Sequence, residues 1–152
     1  MFGNTLPPHI IAPFLFVFCL LFLLPGILYI LTLQRALERC GPVSRTMQPG
    51  MVWLLLIPLF NLIWNFFVVL GLARSLANEF ARRGIPVPEP EPGQSIGMAM
   101  SICACCGLIP VLGVLASFAS LVLWIMYWVK IAGYSQALAQ SSATLVSPPV
   151  NP

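Results

Sequence analysis

This chain of 152 residues has no aspartate, one histidine (His9), one lysine (Lys130) and four glutamates (Glu38, Glu79, Glu89, Glu91). A membrane metalloprotease, a carboxylate-dyad protease or a mid-membrane carboxylate proton relay would each need acidic or imidazole groups that are missing. A bis-histidine haem cannot be built within one chain from a single histidine. The net charge of +3 is too small and too dispersed for a nucleic-acid surface. These absences predict a protein that is not an enzyme, holds no cofactor and has no nucleic-acid partner.

Charge itself is scarce. Only 7% of residues are charged and the mean hydropathy is +0.95, whereas about a quarter of an ordinary soluble chain is charged. Residues 1–34, 46–73 and 92–129 carry no formal side-chain charge, and each block exceeds the roughly 20 apolar residues that cross a bilayer core. In lipid every backbone polar group must be paired internally, which leaves helices or a closed barrel. Barrel strands alternate apolar and polar residues, but Phe14 to Leu24 is continuously apolar. The predicted fold class is therefore all-α, a polytopic transmembrane helical bundle. A cleaved signal peptide is not expected, because no Lys or Arg precedes Arg35 and the apolar run from Ile10 to Leu33 is too long for one.

Four helices in two hairpins are expected within residues 1–140, over about 10–40, 51–83, 95–110 and 113–137. Pro13 falls in the first turn of the first helix and Pro25-Gly26 should kink it. Gly41-Pro42 then stops it. Pro58 is expected inside the second helix, whose extension beyond the membrane to Arg83 carries an apolar face (Leu76, Phe80), a polar face (Arg74, Asn78, Arg82) and a Glu79–Arg83 pair. Residues 85–93, rich in proline, should form an extended linker. The third charge-free block divides best at Ile109-Pro110, with a single kinked helix or a re-entrant hairpin as alternatives. Residues 141–152 read as a disordered tail. A weak echo links Leu56-Ile-Pro-Leu-Phe-Asn61 with Leu108-Ile-Pro-Val-Leu-Gly113. With this layout Arg74, Arg82, Arg83 and Lys130 fall on one side of the membrane and Arg35, Arg39 and Arg45 on the other. That balance slightly favours both termini in the cytoplasm.

Three groups of residues could carry chemistry. Asn61 and Asn65 lie one turn apart after Pro58, as a polar lining for a substrate path or as hydrogen-bonding links between helices. Cys103, Cys105 and Cys106, with Met98 and Met100 nearby, are soft ligands of the kind that select Cu(I). Their spacing also fits small-residue packing, since Gly97, Ser101 and Cys105 recur every four residues, as do Ala99, Cys103 and Gly107; on that reading no metal is bound. Trp124, Tyr127, Trp128 and Lys130 have the composition of interfacial anchors, with Trp53 and Tyr134 in similar settings.

Two patterns are wider: Trp53-x4-Pro58-x2-Asn61-x2-Trp64, and Trp124-Ile125-x-Tyr127-Trp128-x-Lys130-Ile131-x2-Tyr134-Ser135. With Ser75-Leu76-x2-Glu79-Phe80-x2-Arg83-Gly84 between them, they resemble an uncharacterised family of small bacterial four-helix integral membrane proteins over about residues 50–138. The resemblance implies four helices and a multi-pass place in the bacterial inner membrane, and it transfers no activity. The expected function is a structural or accessory membrane subunit, embedded in the lipid bilayer and packed against other subunits or copies of itself. A small transporter or channel using Asn61 and Asn65 is the first alternative, and a copper- or thiol-redox-handling protein the second.

Overall fold

The computed structural model describes residues 8–109 and 113–146; among these every regular element is a helix. Helix α1 spans Pro8–Arg39, α2 Pro58–Arg83, α3 Gln94–Cys106 and α4 Gly113–Val146. Between α1 and α2 lies a 3₁₀ helix, Pro49–Leu56. Helix α1 continues through Pro25 without interruption.

The helix expected over 51–83 is divided at Ile57. Proline disfavours the α conformation in the residue before it, and Ile57 accordingly takes extended angles (φ −82°, ψ 110°). Pro58 starts α2 instead of kinking it. It occupies a first-turn position where its missing N–H costs nothing. Upstream of the break, Val52 and Leu55 are buried three residues apart. A 3₁₀ helix has three residues per turn, so these two side chains stack on the face that enters the core. The Gln48–Ile57 limb, called the arm below, descends about 16–20 Å at about 2 Å per residue.

Cross-contacts fix the direction of each element. Along α1 and α4, Thr32 meets Trp128 and Arg39 meets Ser135, so these helices run parallel. Phe80 meets Tyr134 and Arg83 meets Leu138, so α2 is parallel to α4 as well. The arm runs antiparallel to α2, because Thr46 pairs with Gly71 while Met51 pairs with Trp64. Helix α3 is antiparallel to α2, with Asn65 bonded to Ser101 and Val69 against Gly97. Three long helices thus ascend and two shorter limbs descend.

The expected pairing of the first helix with the second and the third with the fourth gives way to one ascending helix followed by two down–up hairpins, arm–α2 and α3–α4. The echo acquires a structural meaning. Leu56-Ile57-Pro58 forms the turn of the first hairpin, and Leu108-Ile109 follow the end of α3 in the second; residues 110–112 lie outside the described set.

Because α1 and α2 ascend together, the two arginine groups expected on opposite sides lie at one end. Arg83 donates to the Arg39 carbonyl, and Arg45 donates to the carbonyls of Glu38 and Cys40. All eleven Lys, Arg and Glu side chains occupy this end. Below Arg74 and Lys130 stand the uncharged stretches Pro58–Ala73 and Gly113–Val129, each about 25 Å long at 1.5 Å per residue. Large apolar side chains point outward from this half, among them Leu59 (85% exposed), Leu115 (76%) and Phe118 (72%). Two helices, Leu59–Arg83 and Gly113–Ala143, are long and apolar enough to cross a membrane. Only 11% of the second's apolar stretch is buried inside the protein, unlike the core helix of a soluble domain.

Two further expectations are corrected. Residues 141–146, expected to be disordered, continue α4. Arg83 holds this turn through the Leu138 carbonyl and the Ser141 and Ser142 hydroxyls; residues 147–152 lie outside the described set. Helix α3 ends at Cys106 rather than near 110, with turn bonds from Gly107, Leu108 and Ile109 closing it. Helix α2 stops at Gly84 as its sequence indicates. Gly84 adopts φ 65°, and its N–H and that of Ile85 cap the carbonyls of Ala81 and Phe80.

Candidate functional site

In the uncharged half, all five limbs surround a chamber of about 510 Å³. That volume lies within the roughly 300–1,000 Å³ typical of small-molecule sites. Its polar groups are Asn61 and Asn65 from α2, Ser101 from α3, and Ser117 and Ser120 from α4. Leu55 of the arm, Tyr29 and Ile30 of α1, Met100 and Trp124 form much of the apolar wall. No charged side chain lines it. Asn65 stands nine residues below Arg74, about 14 Å along the helix.

The local sequence explains why the chamber is here. The turn at Ile57-Pro58 starts α2 within the bundle, and the first two turns after it present Asn61 and Asn65 on one face. Gly97 allows α3 to approach closely. A Cβ at this position would fall 2.6 Å from Val69 Cγ1 and 2.8 Å from Tyr127 Cε2. Gly97 and Ser101 are therefore packed against α2 and α4 within the chain.

The structure separates the two asparagines. Asn65 Nδ2 donates to Ser101 Oγ at 2.9 Å, and Ser101 donates to the Gly97 carbonyl at 2.9 Å. Asn65 is thus a link between helices that also touches the chamber. The Asn61 side chain has no hydrogen-bond partner among the described residues and is exposed. Its amide can present two donors and an acceptor to a ligand. Ser120 donates weakly to the Met100 carbonyl at 3.4 Å. Ser117 and Ser120 were not singled out in the sequence. Their signal is a pair of small polar residues three apart in an otherwise apolar helix.

Toward the charged end the chamber is roofed by aromatic side chains. Tyr29 lies edge-on to Trp124, with ring centroids 5.3 Å apart, and to Trp128 at 6.2 Å. Trp128 Nε1 donates to Thr32. Trp124 and Trp128 are half-buried, and Lys130 pairs with Glu89. Tyr127, expected as an interfacial anchor, is 1% exposed and sits in the core against Gly93 and Gly97. The hydroxyls of Tyr29 and Tyr127 are buried without a partner among the described residues.

Above the roof, Glu79 organises the charged end. It looks like an ordinary member of a surface i, i+4 pair, yet its side chain is fully buried. Oε2 accepts from the Gly41 N–H at 2.9 Å, and Oε1 from Arg82 and Arg83 at 2.6 Å each. This ties the α1 terminus to α2, and Arg83 extends the tie to α4. Nearby, burial first and the Glu79 charge second push the Cys40 thiol up to about 11, so it is an inert packing group. The proline-rich segment closes over the same end. Glu89 pairs with Lys130 of α4 and accepts the Gly93 N–H. These bonds, with the Lys130 contact first, hold the Glu89 carboxyl below the usual carboxylate range.

Cys103, Cys105 and Cys106 are half-buried free thiols on α3, while Met100 lines the chamber. The described residues contain no group of three or more His, Cys, Asp or Glu side chains placed to hold a metal ion. No family model, curated protein or solved structure matches this chain.

Proposed function

We propose that this chain is a multi-pass integral membrane protein, of the bacterial inner-membrane kind its motifs resemble, and that it works as a small carrier for an uncharged hydrogen-bonding solute. The observation that carries the reading is the chamber. Five limbs converge on amide and hydroxyl groups without a single charge, and the Asn61 amide is left unpaired. Discontinuous helices commonly build transport sites at mid-membrane, and the break at Ile57-Pro58 supplies such a discontinuity here. An uncharged lining suits an uncharged ligand, because an ion desolvated there would find no counter-charge. The belt of outward Leu, Phe, Ile and Val around the same level matches a lipid environment.

The scaffold reading drew on the two small-residue stripes of α3, Gly97-Ser101-Cys105 and Ala99-Cys103-Gly107, and on the missing catalytic groups. With Gly97 and Ser101 packed inside the chain, no observation favours that reading over the carrier. The copper and thiol-redox reading gains nothing from the placement of the three cysteines.

The test is osmotic swelling of proteoliposomes challenged with glycerol or urea. Wild type should swell faster than protein-free liposomes. Asn61→Leu should abolish the difference, because it removes the free amide without touching the Asn65–Ser101 link. Gly26→Phe should do the same by filling the chamber, since Gly26 lines it and nothing lies within 4 Å of its Cβ position. Wild-type swelling equal to that of empty liposomes for both probes would sink the carrier.

A further inference from the structure

Among the described residues, buried side chains close the chamber toward the charged end, and its exposed polar lining lies toward the other. On the charged side, Leu33, Val69, Met100 and Tyr127 are buried to between 0 and 3% exposure and block passage. The Glu79–Arg83 lattice and the proline-rich segment lie beyond them. On the uncharged side the rim residues Asn61 and Ser117 are exposed.

The charge distribution assigns the two ends to opposite faces of a membrane. All six arginines and Lys130 cluster at one end, and the other end has none. Lys and Arg in short segments next to membrane spans favour the cytoplasmic side, while Glu contributes little to orientation. Seven against none is a far stronger bias than the four against three that antiparallel α1 and α2 would give. Three limbs ascend and two descend, so α1 begins at the uncharged end and α4 finishes at the charged end, and the two ends of the chain face opposite sides.

We infer that the chamber takes its uncharged ligand from the non-cytoplasmic side, through the rim at Asn61 and Ser117, while the Glu79 end faces the cytoplasm. The inference rests on the carrier reading for the ligand, but its geometry is tested separately. Asn61 is the residue an incoming molecule meets first, and its donors and acceptor suit an amide, a urea or a polyol. Such a ligand crosses the rim without passing a charged group.

The experiment uses single cysteines placed in a protein lacking the five native ones, probed with a membrane-impermeant maleimide in right-side-out and inside-out vesicles. Asn61→Cys and Ser117→Cys should react in right-side-out vesicles alone, and Glu38→Cys in inside-out vesicles alone. The reverse pattern overturns the inference, and so does failure of both rim cysteines to react from either side. Should the cysteine-free protein not fold, epitope tags at the two ends of the otherwise unchanged chain replace it. The N-terminal tag should be accessible in right-side-out vesicles and the C-terminal tag in inside-out ones; both tags on one face overturns the inference. Swelling decides the ligand and labelling decides the side, so the two readings fail distinguishably.

Discussion

Replacing Glu79 with alanine should cost more stability than any exposed charge substitution, and the structure sets the size of the loss. The carboxylate is fully buried and serves the Gly41 N–H and two arginines. Arg82 is 55% exposed, so its ion pair ranks with surface pairs at about 0–1 kcal/mol. Arg83 is only 13% exposed. It retains the carbonyls of Arg39 and Leu138 as acceptors but loses its counter-charge. Removing one partner of a buried pair typically costs about 3–5 kcal/mol, and the orphaned Gly41 N–H falls within that figure. Glu79→Gln preserves shape and one acceptor oxygen, so a loss of about 2 kcal/mol is expected. The assay is reversible unfolding in mixed micelles with increasing dodecyl sulfate, followed by far-ultraviolet circular dichroism. Glu38→Ala, at an exposed site, should shift stability by no more than about 0.5 kcal/mol. A loss below about 1 kcal/mol for Glu79→Ala would refute the view that this carboxylate clamps α1 to α2.

Two further outcomes follow from particular contacts. Gly97→Ala should destabilise by about 1–3 kcal/mol in the same assay, because the new methyl overlaps Val69 and Tyr127. Gly133→Ala, with nothing within 4 Å, should be neutral or stabilise by up to about 1 kcal/mol. Since the folded-state Glu89 carboxyl lies below its ordinary value, the Glu89–Lys130 contact contributes above the usual glutamate pKa of about 4.3. It is lost as pH falls from there through the depressed folded value. The protection factor of the Gly93 N–H, from amide exchange corrected for its intrinsic slowing in acid, should therefore fall below that range and already be low at neutral pH in Glu89→Gln; a protection factor that does not change with pH would contradict the pairing.

The helix ends and the polar positions were the legible parts of this sequence. Gly84 marks the end of α2 through its own backbone preference, and Asn61 and Asn65 stand out in an apolar run. Which asparagine is bonded depends on Ser101, 36 residues away, and no local pattern holds that information. Pro58 reads locally as an interior residue of one long helix, whereas the structure makes it the start of α2. The extended Ile57 before it breaks the run, and the 3₁₀ segment upstream stacks Val52 and Leu55 on the face that enters the core. Glu79 was hidden for a related reason. An i, i+4 pair on a polar helix looks solvated until α1 is laid across it, and that contact decides which end of the bundle holds Arg35, Arg39 and Arg45.

The turn at Ile57-Pro58 also bears on how such a protein is made. An insertion machinery that reads hydrophobicity along the nascent chain meets residues 46–73 as one uncharged, largely apolar stretch, long enough for a single span. The finished fold uses that stretch as a down-and-up pair. The arm, about 16–20 Å long, is shorter than a bilayer core of about 30 Å, and its Val52 and Leu55 are buried in the bundle. Were the stretch inserted straight instead, the number of crossings would change by one, and α3, α4 and the C-terminus would arrive inverted. The handedness of the whole molecule in its membrane thus hangs on one bend between two residues.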